Sequence, residues 1–369
     1  MTKMKKWCDV LNIVSGKNQK SVLDYKGNYP IYGSGGVIGY ANQYLCEAGT
    51  TIVGRKGTIN NPIFVNERFW NVDTAFGISP GEQLNAKYLY YFCKHFNFKN
   101  LDKSTTIPSL AKSDLLSIEM PIPSLWEQEK IVAKIEELFS ELDNGVETLK
   151  KTKQQLAVYR QAVLKEAFER CKKLSPIREM STLVTSGSRG WAKYYAPQGA
   201  KFIRIGNLTR DSIDIDFSDT QYVDLPDKAE GLRSKLQPND VLVSITADLG
   251  SIGLIPNNIG EAYINQHIAV VRFKNSAQGK FMAWFLRSDW GQKDLLKNKR
   301  GAGKLGLGLD DIRDSRVPVV SDEEADAVLD IIESRLSVCD SIEETVDTAL
   351  QQAEAMRQSI LKKAFEGEL

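Results

Sequence analysis

The sequence has little of what builds a disulfide framework, a metal centre or a membrane span. Its 369 residues include five cysteines, none of them in a C-x-x-C pair, which disfavours both a disulfide framework and a structural zinc site. With only His95 and His267 available, a histidine-rich metal site or a Ser-His-Asp triad has little support. No stretch approaches the roughly 20 apolar residues of a membrane span. These absences predict a cytoplasmic chain with no membrane partner.

Two motifs that suggest cofactor chemistry are incomplete. Residues 61–64 (NPIF) are one residue away from the N-P-P-[FY] signature with which amino-methyltransferases hold a flipped adenine, but neither half of the chain shows the strand-helix alternation that an S-adenosylmethionine site needs. Residues 301–304 (GAGK) are followed by Leu305 rather than Ser or Thr, so the phosphate-loop motif is not met. We therefore discount both segments as cofactor sites.

An internal repeat organises the chain. Residues 159–169 (YRQAVLKEAFE) return at 356–366 as MRQSILKKAFE, an offset of 197 residues. Extended back without gaps to Pro121 and Pro318, the alignment has 18 identities in 49 positions. Two unrelated coiled-coil arms would leave this similarity unexplained, so the pattern indicates a duplicated protein.

The regions before the repeated segments diverge but keep a common order of features. An aromatic-rich stretch at 87–92 matches one at 280–285, and both predict an amphipathic helix. A β-like run precedes each of them. We align the phrase Gly57-Thr-Ile, which follows the first run, with Gly250-Ser-Ile after the second.

Both copies of the repeat predict a long helix. Ser124 with Glu127, and Ser321 with Glu324, supply the S-x-x-E capping box that begins a helix. Apolar residues then follow in alternating steps of four and three, the seam of a coiled coil. The predicted seam consists of Ile131, Ile135, Leu138, Leu142, Leu149, Leu156, Tyr159 and Val163 in the first helix, and of Val328, Ile332, Arg335, Cys339, Ile342, Val346, Ala349, Ala353, Met356 and Ile360 in the second. Roughly 45 residues make a rod of about 70 Å, too long and narrowly striped to be stable alone, so we expect the two helices to pack antiparallel.

Charge separates the four predicted segments, although the whole chain has a net charge of only +1. The globular segments 1–122 and 173–318 each have an excess of five basic side chains, the helix 123–172 is balanced, and the helix 319–369 has 4 basic and 13 acidic residues. Phosphate neutralisation by Lys and Arg gives DNA binders their affinity, so the globular segments are the candidate contact surfaces. Charge alone leaves an ordinary solvated surface equally open.

Candidate contact residues lie in loops that combine cationic, amide or hydroxyl groups with small neighbours, because such groups read base edges and phosphates. The first globular segment offers Arg55, Lys56, Thr58, Lys103, Thr105 and Thr106. The second offers Ser188, Arg189, Asn207, Arg210, Lys299, Arg300 and Lys304. Each loop taken singly could be an ordinary turn, and their recurrence in both halves supports them as a set.

The order of these parts resembles the specificity (S) subunit, HsdS, of Type I restriction-modification enzymes over essentially the full length. Local phrases add to the resemblance: TTIPSL at 105–110, KSDLL at 112–116 and PIP at 121–123, with EQE at 127–129 opening the helix. The second half departs from this phrase, reading LDDI at 309–312 and RVPVV at 316–320.

The resemblance implies an α/β (α+β) fold with two target-recognition domains, at 1–122 and 173–318, separated by two long antiparallel coiled-coil helices. In such subunits each domain reads one half of a split double-stranded DNA target and the helices set the spacing. Two methyltransferase (M) subunits dock on the chain, and two restriction/translocase (R) subunits join in systems that also cleave. The resemblance therefore implies a non-catalytic chain that binds no cofactor, with S-adenosylmethionine, ATP and Mg on the partners.

Two other functions remain open from the sequence. One is a coiled-coil scaffold that binds no DNA, and the other is the target-recognition part of a different adenine methyltransferase system. The bases recognised, the spacer length and the choice between restriction and methylation are not readable from one sequence.

Overall fold

The computed structural model describes residues 3–225, 233–301 and 305–369. The chain divides into two compact units, one formed by residues 1–151 and 346–369 and the other by residues 152–345. Both long helices therefore contribute to both units. The predicted four-part division by sequence position is a different kind of boundary and stays a prediction.

Unit 1 is a mixed sheet and helix structure. Its elements in chain order are β1 (Lys3–Lys6), α1 (Trp7–Val10), β2 (Leu11–Ser15), β3 (Tyr29–Gly33), β4 (Gly36–Ala41), β5 (Thr50–Gly54), β6 (Ile63–Val65), β7 (Trp70–Asn71), β8 (Ala75–Pro80), α2 (Ala86–His95), a 3-10 turn (Phe98–Leu101), α3 (Lys112–Leu116), β9 (Glu119–Ile122) and the first part of the long helix α4 (Leu125–Phe168). The predicted aromatic helix at 87–92 is confirmed as α2.

Unit 2 begins within α4 and repeats the same kinds of element. They are β10 (Leu174–Pro176), α5 (Ile177–Met180), β11 (Ser181–Ser186), β12 (Tyr195–Ala196), β13 (Ala200–Ile203), β14 (Gln221–Val223), β15 (Val241–Ser244), β16 (Ile252–Leu254), β17 (Ala262–Ile264), β18 (Ile268–Phe273), α6 (Gly279–Arg287), α7 (Asp289–Leu295), α8 (Leu309–Asp314), β19 (Arg316–Pro318) and the first part of the long helix α9 (Asp322–Glu366). Three-residue or four-residue 3-10 turns lie at Trp191–Tyr194, Ile205–Asn207 and Ser276–Gln278.

The two units share one sheet topology. In unit 1 the main sheet has the strand order β2-β8-β5-β6, and a second sheet has the order β4-β3-β7 with β3 parallel to β7. In unit 2 the main sheet runs β11-β18-β15-β16, and the second sheet runs β12-β14-β13-β17 with β13 parallel to β17. A short antiparallel pair closes each unit, β1 with β9 and β10 with β19. The predicted duplication is confirmed, with β12 as an addition in the second copy.

Each core joins the main sheet to the adjacent helices. In unit 1 the fully buried Trp7 contacts Phe92 and Phe98 edge-on, each at 6.2 Å between ring centroids. In unit 2 Phe168 of α4 packs edge-on against Phe281 of α6, with ring centroids 5.4 Å apart. Burial of such large apolar side chains is the main favourable contribution to folding, and here it fixes α2 and α6 beneath their sheets.

The predicted helix starts are confirmed. In α4 the backbone N–H of Ser124 donates to Glu127 Oε2 at 2.9 Å, and the backbone N–H of Glu127 donates to Ser124 Oγ at 3.3 Å. The Ser321–Glu324 box before α9 has the same two bonds, at 2.8 and 3.2 Å. The hydrogen bonds from Ser124 also hold the pKa of Glu127 below its ordinary value. Each box satisfies backbone donors that an uncapped helix leaves free.

Antiparallel pairing of α4 with α9 is also confirmed within each unit by equivalent ion pairs. In unit 1 Arg357 pairs with Asp143. In unit 2 Arg160, at the position equivalent to Arg357, pairs with Asp340 at 2.7 Å. Because Asp143 and Asp340 are also 197 residues apart, each unit contains its own copy of one repeated ion pair.

Seven of the 18 predicted seam residues are buried. The buried members are Ile135, Leu156, Val163, Ile332, Cys339, Val346 and Ala353. Three predicted members lie exposed: Tyr159, Ile342 and Met356. Two paired helices bury only a narrow strip between them. Tyr159, Ile342 and Met356 occupy the same one of the two apolar heptad positions, and this position lies at the edge of that strip. The prediction that the seam is buried was wrong for those three residues.

Candidate nucleic-acid interface

In unit 1 the candidate loops meet at one edge of the main sheet. Strands β2 and β5 end at this edge and β8 begins there, because β8 runs antiparallel to both. We call edge 1 the loops 16–18, 55–58, 73–74 and 103–109. Backbone hydrogen bonds join them: the N–H of Arg55 donates to Thr74 O at 2.8 Å, and the N–H of Gly57 donates to Pro108 O at 2.9 Å. The two candidate loops of the first half are therefore neighbours.

Asp102 orders the loop 103–109 from its base. Its Oδ1 accepts from the backbone N–H of Ser104 at 3.0 Å and of Ser109 at 3.1 Å, and these bonds with the Ser104 hydroxyl lower the pKa of Asp102. Thr105 and Thr106 are exposed, and their hydroxyls have no partner within the described residues. The loop thus presents two free hydroxyl groups on a fixed backbone.

Edge 1 has cations without carboxylate partners. Arg55, Lys56 and the neighbouring Thr58 are exposed, and within the described part of the chain neither Arg55 nor Lys56 forms an ion pair. The Arg55 guanidinium donates only to the carbonyl of Asp73, at 3.4 Å. Lys103 differs, because its Nζ lies 2.9 Å from Asp114 Oδ2. Free guanidinium and ammonium groups are the donors that contact phosphates.

In unit 2 the equivalent edge is built in the same way. We call edge 2 the loops 187–189, 245–248 and 265–267 with Arg300 and Gly306. The N–H of Ile245 donates to His267 O at 2.9 Å, and the N–H of Leu307 donates to Ile245 O at 2.9 Å, which repeats the bonds of Arg55 with Thr74 and Leu110.

These bonds correct one sequence alignment. Gly57 has a left-handed φ of +80°, and its structural equivalent is Ala247, with φ +59°, rather than Gly250. The aligned phrase was misplaced because the second half has Ala rather than Gly at this turn, and its next Gly-x-Ile phrase lies three residues further along, at Gly250. A non-glycine residue rarely adopts this backbone conformation, and such strain is found most often at functional sites.

Two of the four described candidate cations at or near edge 2 are held by carboxylates. Arg210 makes a two-pronged ion pair with Asp248, with its Nε 2.9 Å from Oδ1. Arg300 is largely exposed, but its Nη2 lies 2.8 Å from the buried Asp311. Arg189 and Lys299 are exposed and have no ion pair within the described residues. Lys304 lies outside the described residues.

Two other predicted residues of the second half are enclosed. Asn207 is 4% exposed, and its amide donates to Asp216 O at 2.7 Å while its Oδ1 accepts from the N–H of Arg204 at 2.8 Å. The Ser188 hydroxyl is buried with no hydrogen-bond partner among the described residues. Asn207 therefore orders its own loop, whereas Ser188 retains an unused polar group at edge 2.

The structure adds a polar cluster that the sequence analysis missed. Gln266 Nε2 lies 2.9 Å from His267 Nε2, and Thr246 Oγ1 lies 2.5 Å from His267 Nδ1. Because the amide nitrogen of Gln266 can only donate, His267 Nε2 accepts and its Nδ1–H donates to Thr246. Among the described residues, the Gln266 carbonyl oxygen and its second N–H have no hydrogen-bond partner.

A local sequence signal for both edges was present. Ser15-Gly16 and Ser186-Gly187 end equivalent strands, β2 and β11. A Cβ at Gly16 would lie 1.8 Å from Val72 O, and one at Gly187 would lie 1.9 Å from Ile264 O. Only glycine permits this close approach, so the repeated Ser-Gly pair marks the same turn in both halves.

The described residues show neither a metal centre nor a membrane-spanning helix. No group of three or more His, Cys, Asp or Glu side chains in residues 3–225, 233–301 and 305–369 could hold a metal ion. No helix in that part of the chain is both long enough and apolar enough to cross a membrane.

The fold and the two edges define a duplicated recognition protein, and comparison with known families names its class. The family model for the Type I restriction modification DNA specificity domain matches residues 2–157 and again residues 177–352. The chain belongs to this family and contains its domain twice. It is the specificity component of such a system, and the catalytic activities lie on other subunits.

Named relatives agree over most of the chain. The specificity subunit of the Type I restriction enzyme EcoBI from Escherichia coli is 26% identical, covering 93% of this chain and 78% of the relative. The StySPI specificity subunit from Salmonella potsdam is 25% identical, covering 79% and 67%.

Two solved structures show the same fold. A chain from a structure of the assembly and conformational transition of the type I R-M system superposes with a TM-score of 0.77, at 16% identity, covering 100% of this chain and 98% of that one. The HsdS subunit from Thermoanaerobacter tengcongensis gives a TM-score of 0.55, at 16% identity, covering 100% and 97%.

Proposed function

We propose that each unit reads one half of a bipartite double-stranded DNA target, unit 1 through edge 1 and unit 2 through edge 2. The observation that carries this proposal is the equivalence of the edges: the same strand ends and backbone bonds present unlike side chains. A shared frame with different loop chemistry suits two readers of different sequences, because base edges are distinguished by hydrogen-bond donors and acceptors.

In this proposal α4 and α9 set the spacing of the half-sites and dock two methyltransferase subunits. Equivalent grooves in the two units support the docking. A groove of about 610 Å³ in unit 1 includes Glu127, Ile131 and Ala364. One of about 500 Å³ in unit 2 includes the residues 197 positions away, Glu324, Val328 and Ala167. Two like grooves suit two copies of one partner.

The proposal places the chemistry on partners that work in the cytoplasm. S-adenosylmethionine is expected on the methyltransferase subunits, and ATP and Mg on two restriction subunits where these join. This chain would hold none of these groups. A scaffold without DNA binding, or the reading part of another adenine methyltransferase system, are the alternatives that the experiments must separate.

DNA binding is tested with the full chain and its methyltransferase partner. A duplex library should yield one split sequence, bound with an affinity that falls steeply with salt. Replacing Arg55, Lys56, Arg189 and Lys299 together by Gln should weaken binding by at least roughly 100-fold, because four phosphate or base contacts are lost. Wild-type complex that binds no duplex, or binds without salt dependence, would favour the scaffold.

Partner number is tested by filling one groove at a time. Lys130→Trp in unit 1 and Ala327→Trp in unit 2 change equivalent groove residues. Each should reduce the mass measured by light scattering by one methyltransferase subunit, and the double variant should bind none. Ala157→Trp, at an exposed position of α4, serves as the control. Retention of two partners by the double variant would place docking elsewhere.

A further inference from the structure

Unit 1 contains a cavity of about 650 Å³ between the end of α2, the β5–β6 loop and the last part of α9. Its lining includes Lys94, Lys99 and Arg357 as cations and Glu354 as the one carboxylate that the lining shows. Lys94 is half-buried, and within the described residues neither lysine has an ion-pair partner. A half-buried ammonium group without a counter-charge favours an anion beside it.

The amide groups of the lining add hydrogen-bond donors. Asn60 Oδ1 accepts from the backbone N–H of Phe98 at 2.7 Å, and Asn97 Oδ1 accepts from the backbone N–H of Lys99 at 3.2 Å. Their acceptor atoms are therefore used inside the protein, whereas their Nδ2 groups have no partner among the described residues. The cavity thus presents N–H donors and ammonium groups together, which is the donor set of a phosphate site.

Nearby groups do not cancel this charge. Burial lowers the pKa of His95, so the ring adds no charge at neutral pH, and it stacks on Phe365 with centroids 5.5 Å apart. Asp143 is engaged by Arg357, which also lies over the Phe139 ring at 5.0 Å. The two lysines therefore outnumber Glu354, the one carboxylate that the described lining shows.

The equivalent place in unit 2 is occupied by carboxylates. Arg160, the counterpart of Arg357, contacts Asp340 and also Glu343, at 3.0 Å. Arg287 at the end of α6 stands where unit 1 has Lys94; burial lowers its pKa, and the charge of Asp211 only partly offsets this. Within the described residues, the arginine at this place is therefore held by two carboxylates in unit 2 and by one in unit 1.

From this cavity we infer a second DNA contact, which rests on the proposed function: Lys94 and Lys99, with the Asn60 and Asn97 amides, bind a backbone phosphate next to the half-site read by edge 1. Asn60, which lines the cavity, comes two residues after Thr58 of edge 1 in the same loop. A duplex bound at edge 1 would therefore place its next backbone phosphates beside the cavity. The contact is to phosphate and carries no base preference.

The test is the variant Lys94→Gln/Lys99→Gln in the full chain with its methyltransferase partner. Affinity should fall by the same factor for the cognate duplex and for an unrelated duplex, roughly 10-fold at 0.1 M salt, and the salt slope should become shallower by about 1 to 2. Lys150→Gln/Lys165→Gln, two exposed lysines of α4, removes equal charge and should leave both affinities within about twofold. Thermal unfolding of both variants checks that they fold.

Three outcomes overturn the inference. Unchanged affinity in the Lys94/Lys99 variant rejects it, and a loss confined to the cognate duplex assigns the lysines to bases. Saturable binding of ATP that disappears in the variant while DNA affinity holds makes the cavity a nucleotide site. If Arg55→Gln/Lys56→Gln weakens DNA binding and the Lys94/Lys99 variant does not, only the cavity contact is rejected and the proposed function stands. If the wild-type complex binds no DNA, the proposed function itself is rejected.

Discussion

Edge 1 and edge 2 share one backbone frame and differ in which of their cations are paired with carboxylates. At edge 1 the guanidinium of Arg55 and the ammonium of Lys56 have no carboxylate partner within the described residues. At edge 2 Arg210 is held by Asp248 and Arg300 by Asp311. The duplication therefore preserved the hydrogen-bonded frame and not the charge that the frame presents.

The difference teaches how one fold could read two unlike sequences. Free cations contribute salt-dependent affinity that is blind to sequence, whereas neutral amides and hydroxyls contribute discrimination between bases. Both edges offer groups for both tasks: edge 1 has Arg55 and Lys56 beside the Thr105 and Thr106 hydroxyls, and edge 2 has Arg189 beside the hydrogen-bonded cluster of Gln266, His267 and Thr246. The comparison is open to test at four levels of effect.

The largest expected effect concerns the shared frame. Gly16→Ala and Gly187→Ala place a Cβ 1.8 and 1.9 Å from carbonyl oxygens, so each should lower the free energy of unfolding by roughly 3 kcal/mol. Chemical denaturation measures both, and Gly35→Ala, with no atom within 4 Å of its new Cβ, should cost far less. A large loss at one edge and none at the other would show that the frames are not equivalent.

The next effect concerns charge. Arg55→Gln/Lys56→Gln should weaken duplex binding roughly 30-fold, about 2 kcal/mol, with a salt slope shallower by about 2. Arg210→Gln/Arg300→Gln removes the same charge but should cost only about 3-fold, since these groups must first leave their carboxylates. Titration by fluorescence anisotropy over a range of salt compares the pairs. Equal losses of affinity in the two double variants would mean that their carboxylate partners do not keep Arg210 and Arg300 from contacting DNA.

Sequence was informative where structure is set by near neighbours. The capping boxes at Ser124 and Ser321 and the 197-residue repeat recovered both long helices, because heptad steps and caps are local patterns. The antiparallel pairing also followed, since two narrow apolar stripes in one chain need a partner. The exposure of Tyr159 could not be predicted from the sequence, because it depends on how wide a strip of each helix the other helix covers.

The candidate loops were found, but their chemical state was not readable. Whether Arg210 is free depends on Asp248, which is 38 residues away and meets it only through the order of the sheet. Asn207 looked available, yet its amide closes its own loop. Gln266 follows no motif, and only the pairing of β11 with β18 reveals that its turn belongs to edge 2.

A smaller effect would sharpen the assignment of discrimination to edge 2. Gln266 keeps a carbonyl oxygen and one N–H free, which match the N6–H and N7 of adenine. Gln266→Leu should relax preference at one base pair of one half-site by roughly 10-fold, about 1.4 kcal/mol, as measured by selection from a duplex library. Asp73→Ala, at the equivalent turn of edge 1, is the matched control and should leave that half-site unchanged. If Gln266→Leu altered the base preference in both half-sites, the two edges would not read their half-sites independently.

The smallest effect is the pH dependence of the ion pair that distinguishes edge 2. The Arg210 guanidinium holds the pKa of Asp248 below its ordinary value, so the pair stabilises the fold above the unfolded-state pKa and this stabilisation is lost as pH falls through the folded-state pKa, below about pH 4. Because both side chains are more than half exposed, at 54% and 53%, the contribution should be below about 1 kcal/mol. Unfolding of Asp248→Asn and wild type should therefore differ slightly at pH 7 and converge as the pH falls through the folded-state pKa, and Arg210→Gln should reduce the difference to what the Ser251 hydroxyl contributes. A difference that grows toward low pH would show that Asp248 is stabilised by something other than Arg210, and the contrast between the edges would no longer rest on this pair.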